Sequence, residues 1–202
     1  MPQGADIRGM SALQYSHPTA IADAATLAGI ADAIPGLMGD IRSDHAGETG
    51  AVMIYLGILA GTRSTPIRDF ARVHLVTERQ HLAQFAALLP LAERSLLLPL
   101  WQVAGWLTGF LPALVGDRAV YVTIDAVETF VDQHYEDQAR KLPAQGPGGA
   151  LRSLLIACQA DEVHHRDEAR AANIMPDGFL EKGWRWLVAT GSALAVAAAR
   201  RL

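Results

Sequence analysis

The sequence predicts an all-α protein built from a bundle of four long helices, with further helices at its ends. One observation is that apolar residues recur every three or four positions through four long segments. A second is that no segment shows the apolar and polar alternation of a half-buried strand. A third is that acidic and histidine side chains interrupt all four apolar stripes. Since buried charges need partners, the four helices are expected to share a polar centre.

Two of the stripes contain a Glu-x-x-His step, Glu78–His81 and Glu162–His165. Residues three apart lie on the same face of a helix, so a carboxylate and an imidazole at this spacing can bind one ion. Chance would place about 0.3 such steps in a chain with this content of glutamate and histidine. Two steps, both inside an apolar stripe, therefore indicate metal binding.

The other two stripes each contain one glutamate in the same register, Glu48 and Glu128. The order Glu, Glu-x-x-His, Glu, Glu-x-x-His is the pattern of ferritin-like bundles that hold two iron or two manganese ions. It predicts six metal ligands: Glu48, Glu78, His81, Glu128, Glu162 and His165. Two divalent ions would neutralise the four buried carboxylates, and mixed oxygen and nitrogen donors suit iron or manganese. The spacing does not distinguish Fe from Mn.

Other polar residues share these helices without belonging to the pattern of six. Asp44 and Asp125 lie one turn before two ligand glutamates, so we expect them to orient histidines across the bundle. His45 and His74 are interpreted as hydrogen-bonding partners of the centre instead of ligands.

The chain has 202 residues, which suits one domain after an N-terminal extension. We predict that residues 1–35 are irregular apart from a short helix, and that residues 36–202 form the ferritin-like metal-binding domain. The net charge of −4 and the scattered basic residues argue against a nucleic-acid partner. The single cysteine, Cys158, excludes an internal disulfide, and no secretory or mitochondrial targeting pattern is evident.

Helix boundaries are predicted from proline, glycine and capping residues. The short helix is expected at about Thr19–Ile34, and the four ligand helices at about Leu37–Thr62, Pro66–Leu89, Asp117–Leu142 and Ala150–Asn173. Pro176 is expected to open a last helix that reaches the carboxyl end.

Between the second and third ligand helices, the segment Ser95–Gly116 contains no formally charged residue. Its length would allow a membrane span, but its prolines and glycines favour broken, shorter helices. Trp101 and Trp106 suit the headgroup level of a bilayer. We interpret the segment as a hydrophobic crossover that, with the last helix, meets the membrane and admits a lipid tail. The alternative is that it only covers the bundle core.

The motifs resemble one family in particular, the demethoxyubiquinone hydroxylases, which are di-iron monooxygenases of ubiquinone biosynthesis. The resemblance covers about residues 37–202 and rests on Arg42-Ser43-Asp44-His45-Ala46-Gly47-Glu48, Glu78-x-x-His81-Leu82-x-x-Phe85, Pro99-Leu100-Trp101, Val127-Glu128, His134-Tyr135-x-x-Gln138 and Asp161-Glu162-x-x-His165. The family's ligands fall on the same six residues. Two positions depart from the family pattern, Ile58 in place of glutamine and His164 in place of glutamate, and neither is a ligand.

The resemblance implies that two Fe ions serve to insert one oxygen atom of dioxygen into the ring of a demethoxyubiquinone or demethoxyubiquinol. It also implies that Tyr135 and His134 act in catalysis, through substrate binding or electron transfer. The expected partners are a polyprenyl quinone or quinol, dioxygen and a membrane surface. The resemblance is also compatible with a lipid-binding partner protein and with a homo-oligomer.

The expected location is the periphery of a membrane, on the cytoplasmic face of a bacterial inner membrane in preference to a mitochondrial inner membrane. The alternative functions are another ferritin-like di-iron oxidase or an iron-handling bundle. An iron-storage bundle would not explain the apolar crossover, because a water-soluble cage does not need an exposed apolar segment.

Overall fold

The computed structural model describes residues 24–202, and the long elements in this range are all α-helices, without a β-strand. The helices are α1 (Ala24–Ala33), α2 (Leu37–Gly61), α3 (Thr65–Leu88), α4 (Leu98–Val115), α5 (Asp117–Ala139), α6 (Pro147–Ala172) and α7 (Phe179–Ala199). A short 3-10 turn, Leu91–Glu93, connects α3 to α4. The all-α prediction is confirmed. The expectation for residues 1–23 lies outside the described residues.

Helices α2, α3, α5 and α6 are the four predicted ligand helices. Two apolar clusters fill the bundle that they form, and every ligand helix contributes to both. The first cluster includes Ile41, Phe85, Tyr135 and Leu154. The second includes Ile58, Ile67, Ile124 and Ala169. On each helix the predicted ligands lie between the residue that belongs to the first cluster and the residue that belongs to the second. The polar centre therefore has an apolar core on either side.

The crossover differs from its prediction, because Leu98–Val115 forms one continuous helix instead of broken, shorter ones. Pro99 is tolerated since it occupies the first turn, where a backbone N–H has no partner within the helix. Pro112 lies in the last turn, close to the end that the helix reaches anyway. Smaller differences concern helix ends: α6 begins at Pro147 instead of Ala150, and α7 at Phe179 instead of Pro176.

The glycines of the crossover allow α4 to pack directly on α2. A Cβ atom on Gly109 would collide with the carbonyl oxygen of Ile54, and one on Gly105 with that of Gly50. Gly57 faces α4 in the same way, against Trp106. The glycines that predicted breaks in this segment therefore have another role, which is to let two helix backbones touch.

We expect Gly109→Ala to destabilise the protein by about 1–3 kcal/mol, because the two backbones must separate to accommodate the methyl group. Urea unfolding of the purified variant measures the change. Gly183→Ala in α7 is the matched control, since a Cβ atom there meets nothing within 4 Å. The control should be neutral or gain about 0.5–1 kcal/mol. Equal midpoints for the two variants would contradict the close packing of α4 on α2.

Ion pairs attach both ends of α7 to the bundle. Near the N-terminal end, Arg185 Nη2 lies 2.7 Å from Asp125 Oδ2, and beyond the C-terminal end Arg200 Nη2 lies 2.8 Å from Asp40 Oδ1. These two ion pairs hold α7 across α2 and α5. The expectation that Asp125 orients a histidine is wrong, because arginines occupy its carboxylate.

Candidate metal centre

The structure brings all six predicted ligands together in the middle of the four-helix bundle. All six side chains are buried. They form two overlapping groups of four residues. Within each group, the donor atoms lie within 4.8 Å of one another. One group is Glu48, Glu78, His81 and Glu162, and the other is Glu78, Glu128, Glu162 and His165. Glu78 and Glu162 belong to both groups, which suits two carboxylates shared between two neighbouring ions.

Both histidines point Nδ1 towards the shared glutamates. His81 Nδ1 lies 3.0 Å from Glu162 Oε1. His165 Nδ1 lies 3.0 Å from Glu78 Oε1 and 3.1 Å from Glu162 Oε2. Each Glu-x-x-His step thus turns its two side chains to the same point, as the helical spacing predicts.

A carboxylate outside the six orients one of these rings. Asp161 Oδ2 lies 3.1 Å from His81 Nε2, the nitrogen that faces away from the cluster. Such an acceptor selects the tautomer and fixes the ring plane of a metal-binding histidine. Asp161 belongs to one of the family motifs, but its residue type and position predicted no role for it. The contact joins α3 to α6, so no spacing within one helix could have revealed it.

The surroundings shift the pKa values of the four glutamates in different directions. Burial raises the pKa of Glu48, Glu78 and Glu128, and repulsion from neighbouring glutamates raises it further. For Glu162, burial is outweighed by hydrogen bonds from His165 and His81, so its pKa is lowered.

The two histidines show the complementary effect. Burial alone would lower their pKa values, but hydrogen bonds to acidic partners, Asp161 for His81 and Glu162 for His165, outweigh it. Both pKa values are therefore raised well above the ordinary value of histidine. The cluster attracts positive charge strongly.

The residues fit two divalent ions. Two of the eight carboxylate oxygens are buried without a hydrogen bond, Glu48 Oε2 and Glu78 Oε2. Glu78 Oε1 and Glu162 Oε2 accept only poorly aligned ones from His165 Nδ1. Buried acceptors of this kind are costly unless a cation or donor meets them. Four carboxylates and two neutral imidazoles would form an uncharged cluster with two divalent ions. This set of oxygen and nitrogen donors suits Fe or Mn. It lacks the sulfur ligands that zinc sites often contain.

Two buried tyrosines border the cluster. The Tyr135 hydroxyl donates a hydrogen bond to Glu48 Oε1, and the Tyr55 hydroxyl donates one to Glu128 Oε1 at 3.3 Å. Burial raises the pKa of both phenols well above the ordinary value, and nearby glutamates add to this. Each phenol therefore keeps its proton and orients one glutamate, which is Glu48 for Tyr135 and Glu128 for Tyr55. Each of these glutamates belongs to only one of the two donor groups.

His134 lies further out than Tyr135. Its Nε2 is 3.0 Å from Asp44 Oδ1, which also accepts a hydrogen bond from Gln138 Nε2 at 2.6 Å. Asp44 therefore orients a histidine of α5, as expected. Burial raises the pKa of Asp44, although hydrogen bonds from His134 and Gln138 offset part of the effect.

A largely apolar cavity of about 350 Å³ leads to the cluster. Its walls come from α2, α4, α5 and α7, and it reaches three of the predicted ligands, Glu48, Glu128 and Glu162. His134 and Tyr135 also line it. The wall on the side of α4 and α7 includes Trp101, Gly105, Trp184, Val188, Gly191 and Ala195. The crossover and the last helix thus do more than cover the core, since together they enclose a route to the cluster.

The two positions that depart from the family pattern lie outside the cluster. Ile58 is buried in the second apolar cluster. The His164 side chain is 75% exposed and points away from the six residues. Neither departure removes a donor from the centre.

Comparisons with known proteins agree with this geometry. Residues 37–199 match the family described as "Ubiquinone biosynthesis protein COQ7". The chain is 38% identical over 132 residues to a mitochondrial NADPH-dependent 3-demethoxyubiquinone 3-hydroxylase of Dictyostelium discoideum, covering 62% of this chain and 59% of that protein. It is 39% identical over 131 residues to a 3-demethoxyubiquinol 3-hydroxylase of Rhodospirillum rubrum, covering 63% and 60%.

A third relative is matched over more of its length. The mitochondrial NADPH-dependent 3-demethoxyubiquinone 3-hydroxylase of Caenorhabditis elegans is 30% identical over 169 residues, covering 80% of this chain and 88% of that protein. The first two alignments span only about three fifths of the relatives' length. The family match includes all six residues of the cluster and the whole crossover. The chain belongs to the COQ7 family of ubiquinone biosynthesis proteins.

Proposed function

We propose that this protein is a di-iron monooxygenase that hydroxylates the ring of a demethoxyubiquinone or demethoxyubiquinol, with dioxygen as the oxygen source. Family membership supports the substrate class, and three relatives carry names for this reaction. The observation that carries the proposal is the apolar cavity that reaches Glu48, Glu128 and Glu162. An apolar, ring-bearing substrate can approach the buried carboxylates by this route.

In the proposed centre, six residues would hold two Fe ions: Glu48, Glu78, His81, Glu128, Glu162 and His165. Glu78 and Glu162 belong to both donor groups, so both would serve the two ions together. The bound irons would supply the redox chemistry that activates dioxygen. Asp161 and the two tyrosines hold ligand side chains in place.

Tyr135 and His134 are the proposed catalytic residues outside the ligand set. Both line the cavity, and Tyr135 touches Glu48 directly. His134 is held by Asp44 at the cavity wall, where its ring can bind an oxygen of the quinol. Apolar walls exclude water around these groups, which strengthens each of their hydrogen bonds.

Turnover with ¹⁸O₂ tests the proposed reaction. Protein reconstituted with Fe(II) would receive a polyprenyl demethoxyquinol, with NADPH in a parallel assay, and mass spectrometry would read the product. The expected result is one ¹⁸O atom in the ring. Glu136→Ala, which changes an exposed carboxylate, should behave as the wild type. Oxygen consumption without ring labelling would favour another di-iron oxidase, and progressive iron uptake would favour an iron-handling bundle.

We also propose that the protein works at the periphery of a membrane. Five apolar side chains form an exposed stripe along α4: Leu100, Val103, Leu107, Leu111 and Leu114. Within residues 24–202, α4 is the only helix long and apolar enough to cross a bilayer, judged by length and composition alone. Only 22% of it is buried. Because the cavity wall and the stripe belong to the same helix, lipid contact would place the cavity beside its substrate. A bacterial inner membrane remains the proposed location.

We expect Leu100→Glu combined with Leu107→Glu to abolish most liposome binding. Burying a leucine contributes about 1.5–3 kcal/mol, so losing two should lower the lipid partition coefficient by at least about 100-fold. Flotation with lipid vesicles measures it. Val73→Glu with Val76→Glu is the matched control, because both valines are exposed on α3. If both double variants float equally, the α4 stripe instead contacts a second copy or a lipid-binding partner protein.

A further inference from the structure

A line of polar side chains leads from the surface towards the metal centre on the side formed by α3 and α6. His164 is 75% exposed, and its Nε2 lies 3.9 Å from Glu168 Oε2, one turn along α6. The same oxygen lies 3.0 Å from Nε2 of His74, which is buried on α3. His74 Nε2 makes no well-aligned hydrogen bond. The His74 ring in turn packs edge-on against His165, with ring centroids 4.1 Å apart.

This line lies apart from the apolar cavity. Among the described residues, α3 contributes nothing to the cavity wall and α6 contributes only Glu162. A hydrated cation is poorly suited to an apolar route, because the walls cannot replace the water that it must lose. An ion that loads the buried centre needs carboxylate and imidazole groups along its way, and the α3–α6 side provides them.

We propose that His164, Glu168 and His74 form an uptake site that captures hydrated divalent transition-metal ions and passes them to the buried centre. The inference rests on the proposed metal centre and adds a route to it. Glu168 is the shared ligand, since one of its oxygens faces both histidines. No redox step is involved: water molecules on the ion are exchanged for protein donors, and the ion keeps its charge.

The two outer residues have the freedom that capture requires. The Glu168 side chain is 47% exposed and His164 more so, and small rotations can bring both donors to one ion. His74 is fixed by its neighbours, with the Phe70 ring centroid 4.3 Å away. An ion held by Glu168 and His74 would be next to His165, the first ligand of the centre on this side.

The rate of Co(II) loading into the metal-free protein tests the inference. Stopped-flow absorption would follow uptake by the wild type, Glu168→Gln and His164→Ala. We expect both variants to load about tenfold more slowly, because the local charge or donor that attracts the ion is lost. The final stoichiometry should stay at two ions per chain, with an unchanged final spectrum. Asp167→Asn is the control, since it removes one charge from a neighbouring exposed position and should load at the wild-type rate.

The outcomes separate the uptake site from the metal centre. Wild-type loading rates in Glu168→Gln and His164→Ala would overturn the uptake site and leave the centre intact. Equal slowing in Asp167→Asn would also overturn it, since general surface charge would then explain the effect. An altered final spectrum would also overturn it, because Glu168 would then act on the bound ions instead of on their uptake. A wild type that fails to bind two ions would overturn the proposed centre, and the uptake site with it.

Discussion

Glu162→Ala protein should retain no tightly bound iron, against two ions per chain in the wild type. Glu162 belongs to both donor groups, and its two oxygens lie 3.0 Å from His81 and 3.1 Å from His165. Removing it takes one ligand from each ion and one of the acidic partners from each histidine. Metal analysis after anaerobic reconstitution and desalting measures the loss. An alanine variant that still holds two ions would show that Glu162 is not a shared ligand.

A graded control distinguishes a shared ligand from a terminal one. Glu128 belongs to a single group, so Glu128→Ala should leave the group of Glu48, Glu78, His81 and Glu162 able to hold about one ion. The exposed Glu136→Ala should hold two. Equal losses in Glu162→Ala and Glu128→Ala would instead indicate that the two ions bind only together.

Metal should stabilise the fold substantially. The metal-free centre keeps four buried glutamates in contact, three of them with raised pKa values, and bound ions replace this repulsion by attraction. At a free Fe(II) concentration 100 times the dissociation constant, each bound ion adds about 2.7 kcal/mol, so two ions add about 5 kcal/mol. For a chain of this size, that corresponds to an increase of about 10–20 °C in Tm. Anaerobic thermal unfolding at neutral pH, with and without Fe(II), measures the increase.

The control for this measurement is the Glu162→Ala variant, which should not respond to Fe(II). Its metal-free form should be less stable than the metal-free wild type, because two buried histidines lose the carboxylate that they share. A wild-type Tm that does not change with Fe(II) would contradict the stabilising role of the centre. A rise of equal size in Glu162→Ala would place the bound ion elsewhere on the protein.

Local sequence determined much of the architecture. Helical periodicity depends on neighbours within one segment, and it located the four ligand helices to within a few residues of their observed ends. The Glu-x-x-His spacing likewise acts within one turn, so it placed each carboxylate and imidazole pair on a common face. The family resemblance was also readable from these motifs, and the match over residues 37–199 confirms it.

Tertiary structure alone decided the features that depend on contacts between helices. Proline and glycine content predicted breaks in α4, but its prolines lie in the first and last turns and its glycines pack against α2. The pairing of Asp125 with arginines and the contact of Asp161 with His81 join different helices, so no local spacing reports them. The cavity needs α2, α4, α5 and α7 to assemble before it exists. Geometry within one helix and the convergence of the six ligands could thus be read from the sequence pattern, because both follow from helical spacing. The packed bundle alone decided which other side chains meet across helices.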